Sequence, residues 1–187
     1  MASSATEVVN LALVGLGLEP VGALDETSDR SRAASRWYPT VLDALIRDGN
    51  WNFAQTRVAL AQLATNPDWG DLFAYQLPTD CLRVLETNLN PDAAWRIEGR
   101  TLVTAEPAVS ILYLARVTDP TQWDALFLEA IVDALAFRLA YALTRNATLV
   151  DALSRISADT RKGAKSRDGQ EGRPLKRFLS DAFTRFR

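Results

Sequence analysis

The chain has 187 residues, 48% of them hydrophobic and 24% charged, which excludes wholesale disorder and favours one packed domain. It contains no histidine and one cysteine, Cys81, so Ser-His and Cys-His couples, multi-cysteine metal cages and an internal disulfide are all excluded. The net charge is −2 but unevenly spread: residues 1–159 hold 12 Lys and Arg against 20 Asp and Glu, a net of −8, whereas residues 160–187 hold 9 against 3, a net of +6.

A first helix is expected over residues 5–17. Ser4 and Glu7 have capping-box spacing, Val9, Ala12, Leu13 and Leu16 recur at helical spacing, and Gly15 and Gly17 supply a stop. The apolar stretch 8–18 is interrupted by Asn10 and these glycines, and is too short to cross a bilayer. The opening MASSATE lacks the positive region of a signal peptide, so a soluble protein made in a cytoplasm, with no membrane partner, is expected. A turn with Pro20 and Gly22 leads to a second helix over 28–48, capped by Asp25 or Thr27. Its apolar stripe is Ala34, Trp37, Tyr38, Val41 and Leu45, and Gly49 follows its end. Pro39 lies inside it, so a kink or two abutting helices are expected.

Between residues 51 and 118 the period shortens. The segments 83–86, 95–98, 101–104 and 109–117 read as strands, with Gly99-Arg100 as a hairpin turn between two of them. Loops fall at Asn66-Pro67 and Asn90-Pro91. A third helix is expected from Asp119-Pro120 to about Thr144. Residues 122–143 carry only four charges, so it should be the core spine. A fourth should run from Thr148 to about Arg167. Its first half packs through Leu149, Val150, Leu153 and Ile156; its second half has no large apolar side chain and should lie in solvent or on a partner. Together these elements predict a mostly α (α+β) fold, a bundle of about four helices with a small antiparallel β element. The body would span 1–166 with the β insertion around 80–118, and an extended tail would span 167–187.

No catalytic constellation stands out: there is no phosphate loop, dinucleotide fingerprint, nucleophile elbow or zinc pattern. Asp25 and Glu26 read as acids at a helix N-terminus. Asn146-Ala147-Thr148 matches a glycosylation sequon but reads as a helix cap, and Cys81 reads as a small buried hydrophobe. Trp37, Trp51 and Trp123 sit among apolar neighbours and are expected in the core. No enzyme activity, metal or cofactor is expected.

The stretch 174–186 is different in kind. Leu175, Phe178, Leu179, Ala182, Phe183 and Phe186 make one helical stripe, with Lys176, Arg177, Arg185 and Arg187 around it. It could bind nucleic-acid phosphates, dock into an acidic groove on a protein, pack back on its own body or be only a solvated end. Phosphate binding needs no phenylalanines, and burial of six such side chains contributes on the order of 10 kcal/mol before ordering costs. Docking on a protein is therefore the expected role.

Several phrases resemble a known family in matching order. They are VNLALVGLGLEPVGALDETSDRSRAA at 9–34, DGNWNFA at 48–54, YQLPTDCLRVLE at 75–86, IEGRTLVT at 97–104 and YLARVTDPTQWDALFLEAIVDALAFRLA at 113–140. The order is similar to that of the tail tubular protein A family, the head-to-tail adaptors of T7-like short-tailed phages. The resemblance implies a structural virion protein, a dodecameric ring between the portal protein ring and the tail nozzle protein. Genome DNA would pass through the channel without sequence-specific binding, and tail fibres could attach nearby. It also implies that the C-terminal region reaches the portal, which puts the docking on Leu175, Lys176, Arg177, Phe178, Leu179, Phe183, Arg185, Phe186 and Arg187. Alternatives are a head-completion protein of a long-tailed phage, a cell-wall hydrolase using a carboxylate pair, and a nucleic-acid binder using the tail.

Overall fold

The computed structural model describes residues 3–70 and 72–168. Four helices and two small antiparallel sheets make an α+β architecture in chain order α1 (Ala5–Gly15), α2 (Asp29–Asp48), β1 (Gln55–Ala59), β2 (Phe73–Gln76), β3 (Cys81–Thr87), β4 (Trp95–Glu98), β5 (Thr101–Thr104), β6 (Ser110–Ala115), α3 (Ala125–Thr144) and α4 (Ala147–Asp168). Of the expected docking tail, only its first two residues fall within this description, as the last turn of α4.

α1 begins where its cap predicts. The Ser4 side chain accepts from the Glu7 amide at 3.2 Å, and Glu7 reaches back to the Ser3 amide and hydroxyl, closing the first turn. Asn10, the polar interruption in the apolar stretch, is a structural anchor. Its side chain donates to the Val21 carbonyl and accepts from the Val21 amide, at 2.9 and 2.8 Å, pinning the following turn to α1. Glu26 does not act on a helix end. It accepts from the Gly22 and Ala23 amides inside that turn.

α2 is one helix, not two. Ser28 caps it, in place of Asp25 or Thr27, and Pro39 sits within the helical run. The residue four before Pro39, Ser35, is exposed, as Pro39 is, so water can satisfy the carbonyl that the proline leaves unpaired. Gly49 ends the helix in an extended rather than left-handed conformation. Its role is space: a side-chain carbon there would press into the Trp51 indole, whose Nε1 donates to the Leu45 carbonyl at 2.8 Å. Gly49→Ala should therefore destabilise the fold by about 1 kcal/mol through overpacking. Urea titration followed by tryptophan fluorescence checks it.

The sheets are β1-β6-β3 and β2-β5-β4, all antiparallel. The expected hairpin at Gly99-Arg100 joins β4 and β5, with Gly99 in the left-handed region. β1 and β2 lie ahead of the expected 80–118 region, and the β element is two sheets rather than one. β6 alternates between two cores. Leu114 enters the helical core, while Ile111, Tyr113 and Ala115 face a second core with Tyr75 and Leu102 of the other sheet and with Cys81.

The approach to α3 is refined by one turn. Asp119 caps a short 3-10 turn, Pro120–Gln122, and Asp124 caps α3 itself. α3 is the spine: α1, α2 and α4 all pack on it. Trp51, Phe53, Trp123 and Phe127 meet edge-on or tilted at its first turns, with Phe127 4.9 Å from Trp51. Arg145 ends α3 in the left-handed region, and Asn146 caps α4 by accepting from the Leu149 amide at 3.1 Å.

Candidate functional site

The residues expected to dock a partner, Leu175, Lys176, Arg177, Phe178, Leu179, Phe183, Arg185, Phe186 and Arg187, all lie outside the described residues. What is described is the platform from which that segment departs, and it differs from expectation. The polar second half of α4 packs on its own body rather than in solvent. Ala164 and Ser157 are buried, and so is Asp168 at 6% exposure. The physical reason is that small side chains let the helix approach closely while its charged residues find fixed partners.

Those partners form a line of polar contacts. Thr160 donates to Asp133 of α3 at 2.7 Å. Arg161 lies 3.6 Å from the Asp48 carboxylate, which also receives a hydrogen bond from Lys165. The Lys165 hydrogen bond first, and then both neighbouring cations, hold the Asp48 carboxyl below the ordinary aspartate range, against partial burial. At the end of α4, the Asp168 carboxylate accepts from the Asn52 amide at 3.2 and 3.3 Å, and the Asn52 side chain donates to the Asp168 carbonyl at 3.0 Å. The last residue of α4 is thus tied to Asn52, next to Trp51 of the helical core.

None of Asp48, Asn52, Asp133 or Asp168 stands out in the sequence as part of a site. The available signal was the spacing of Leu153, Ser157, Arg161, Ala164 and Asp168, which keeps one helical face going after the large apolar residues end. Beside this line, α2, α3 and α4 enclose a hollow of about 110 Å3 lined by Trp37, Val41, Leu45, Ala134, Phe137 and Arg161, among others. Trp37, expected in the core, is 36% exposed at its rim. The Arg138 guanidinium lies 5.2 Å from the centre of the Trp37 ring and 5.6 Å from that of Phe137.

The described residues offer little for covalent or metal chemistry. No group of three or more His, Cys, Asp or Glu is placed to hold a metal among them. Cys81 is buried, and that burial pushes its thiol up from the ordinary range, away from the reactive thiolate. Burial likewise pushes the Tyr38 phenol up to about 12. No helix among the described residues is long and apolar enough to cross a membrane. No family model matches the chain, and no curated protein matches it.

Proposed function

We propose that the protein is a structural, non-enzymatic head-to-tail adaptor of a short-tailed phage, a ring subunit seated between a portal ring and a tail nozzle, in the virion. The observation that carries this reading is the ordered resemblance over most of residues 7–145, joined to a sequence whose body is acidic and whose segment after Asp168 is basic with one apolar face. Each part has a physical use in such an assembly. An acidic body repels DNA phosphates and lets the genome slide through the channel. The contact between Asp168 and Asn52 fixes the end of α4 on the body, and in sequence residues 169–174, which include two glycines, link it to the amphipathic stretch. Leu175, Phe178, Leu179, Phe183 and Phe186 supply the buried area, and Lys176, Arg177, Arg185 and Arg187 pair with an acidic groove on the portal.

Electron microscopy of the protein mixed with its cognate portal tests the reading; the expected result is a second ring stacked on the portal. Phe178→Asp together with Phe183→Asp should abolish that ring while leaving the circular dichroism spectrum and melting temperature of the free protein unchanged. Portals decorated as fully by the double variant as by wild type would remove the docking role.

A further inference from the structure

Two surfaces of the described molecule complement one another. The first is the outward side of α1 with the turn after it. Leu11 and Val14, one helical turn apart, are 45% and 60% exposed, while Val8, Val9, Ala12 and Leu13 on the same helix are buried. Residues 1–29 hold five carboxylates, Glu7, Glu19, Asp25, Glu26 and Asp29, and no lysine or arginine; Arg30 and Arg32, just after them, pair with Glu19 and Asp29. Glu7 lies one turn before Leu11 on the same stripe.

The second surface is the hollow between α2, α3 and α4. Its walls are aromatic and aliphatic, and its charges are positive. Arg138, over the Trp37 and Phe137 rings, has no carboxylate partner among the described residues. Arg161 keeps its Nε buried with no hydrogen-bond acceptor. Residues 155–167 carry five cations against one carboxylate, Asp159. A hollow of about 110 Å3 is smaller than the ~150 Å3 that accommodates a benzene-sized guest, and so fits one aliphatic side chain.

We propose that the α1 face of one copy of this chain seats in the α2–α4 hollow of a second copy. A Leu11 or Val14 side chain enters against Trp37, and the Glu7 carboxylate of α1 faces Arg138. The occupant is a second copy because the chain itself presents what the hollow lacks, an exposed aliphatic stripe with the Glu7 carboxylate one turn before it, set against an Arg138 that no described carboxylate pairs. The two surfaces share no residue, so the contact is head-to-tail and repeats from copy to copy. This deepens the adaptor reading by naming its lateral surfaces, and it rests on that reading for closure of the repeat into a ring.

Sedimentation of the full chain over a wide concentration range tests it. Wild type should gain mass as concentration rises. Leu11→Asp with Val14→Asp blocks one surface, and Arg138→Glu blocks the other; each variant alone should lose the mass gain at unchanged melting temperature. Mixed together they should form a one-to-one dimer and nothing larger, because one intact α1 face and one intact hollow remain. If the aspartates unfold α1, Leu11→Gln with Val14→Gln serves in their place, with the same expected loss. Wild type that stays monomeric throughout, variants that associate as wild type does, or a mixture that stays monomeric would each overturn the proposal. Wild type that decorates portals without associating in free solution overturns this inference alone. Association through these surfaces without portal binding leaves it standing and removes the adaptor reading.

Discussion

Trp51→Ala is expected to lower the free energy of unfolding by about 3–5 kcal/mol, the range for removing a large aromatic from a core. The indole is fully buried, sits edge-on to Phe127 at 4.9 Å, and donates to the Leu45 carbonyl. It also fills the space that Gly49 leaves open, and it directly precedes Asn52, which holds the end of α4. The truncation therefore opens a cavity where α2, α3 and the clamp on α4 meet. Trp51→Phe keeps most of the apolar volume but loses the donor, so its cost should be smaller, about 1–3 kcal/mol. Urea unfolding of both variants, followed by far-ultraviolet circular dichroism, gives the two values. Equal costs for the two would mean that the hydrogen bond, not the packing, dominates at this position.

The contrast between Trp51 and Trp37 shows how far the sequence could be read. Both sit among apolar neighbours along the chain, and both were expected in the core. Trp51 is the centre of it; Trp37 lies at a rim under Arg138. Periodicity decides which helix face an aromatic joins, but not whether a long basic side chain from another helix comes to cover it. The same limit applies to the strands. The hairpin β4–β5 was legible because a glycine turn and period-two alternation are local signals. β1 and β2 were missed because they are short edge strands: three of the five residues of β1 are exposed, and β2 has only four residues.

The caps were legible at α1 and α4, where Ser4 and Asn146 each accept from a backbone amide three residues on, but not at α2 and α3, where Ser28 and Asp124 cap in place of the expected Asp25 or Thr27 and Asp119. The second half of α4 was the least legible. Its adhesion comes from Asp48, Asn52 and Asp133, the first two more than 100 residues away in sequence, and no local pattern marks those three as its partners. The role proposed for the amphipathic segment beyond Asp168 is therefore read from sequence, and the hydrogen bonding that anchors the end of α4 is read from structure.

That anchoring has a measurable signature. Asp168→Ala should destabilise the fold by about 1–3 kcal/mol, toward the upper end, because it strips a buried carboxylate from the partly buried Asn52 amide. Asp48 acts on the same stretch of α4 in a weaker and pH-dependent way. Its folded carboxyl titrates below the ordinary value of 3.8, so the stability it contributes is complete above that value and fades as the pH falls through the folded one. The group is about half exposed, so the contribution should be within about 0.2–1 kcal/mol. Asp48→Asn should accordingly cost the same small amount from neutral pH down to about pH 5, and nothing at the acid end, once wild type is protonated too. Hydrogen exchange at the amides of residues 160–168 separates the two variants. Asp168→Ala should speed exchange in that turn at every pH, whereas Asp48→Asn should speed it only where the wild-type carboxylate is ionised. Exchange in that turn that is already as fast in wild type as in Asp168→Ala would mean that α4 ends in a frayed turn and that Asp168 does not anchor it.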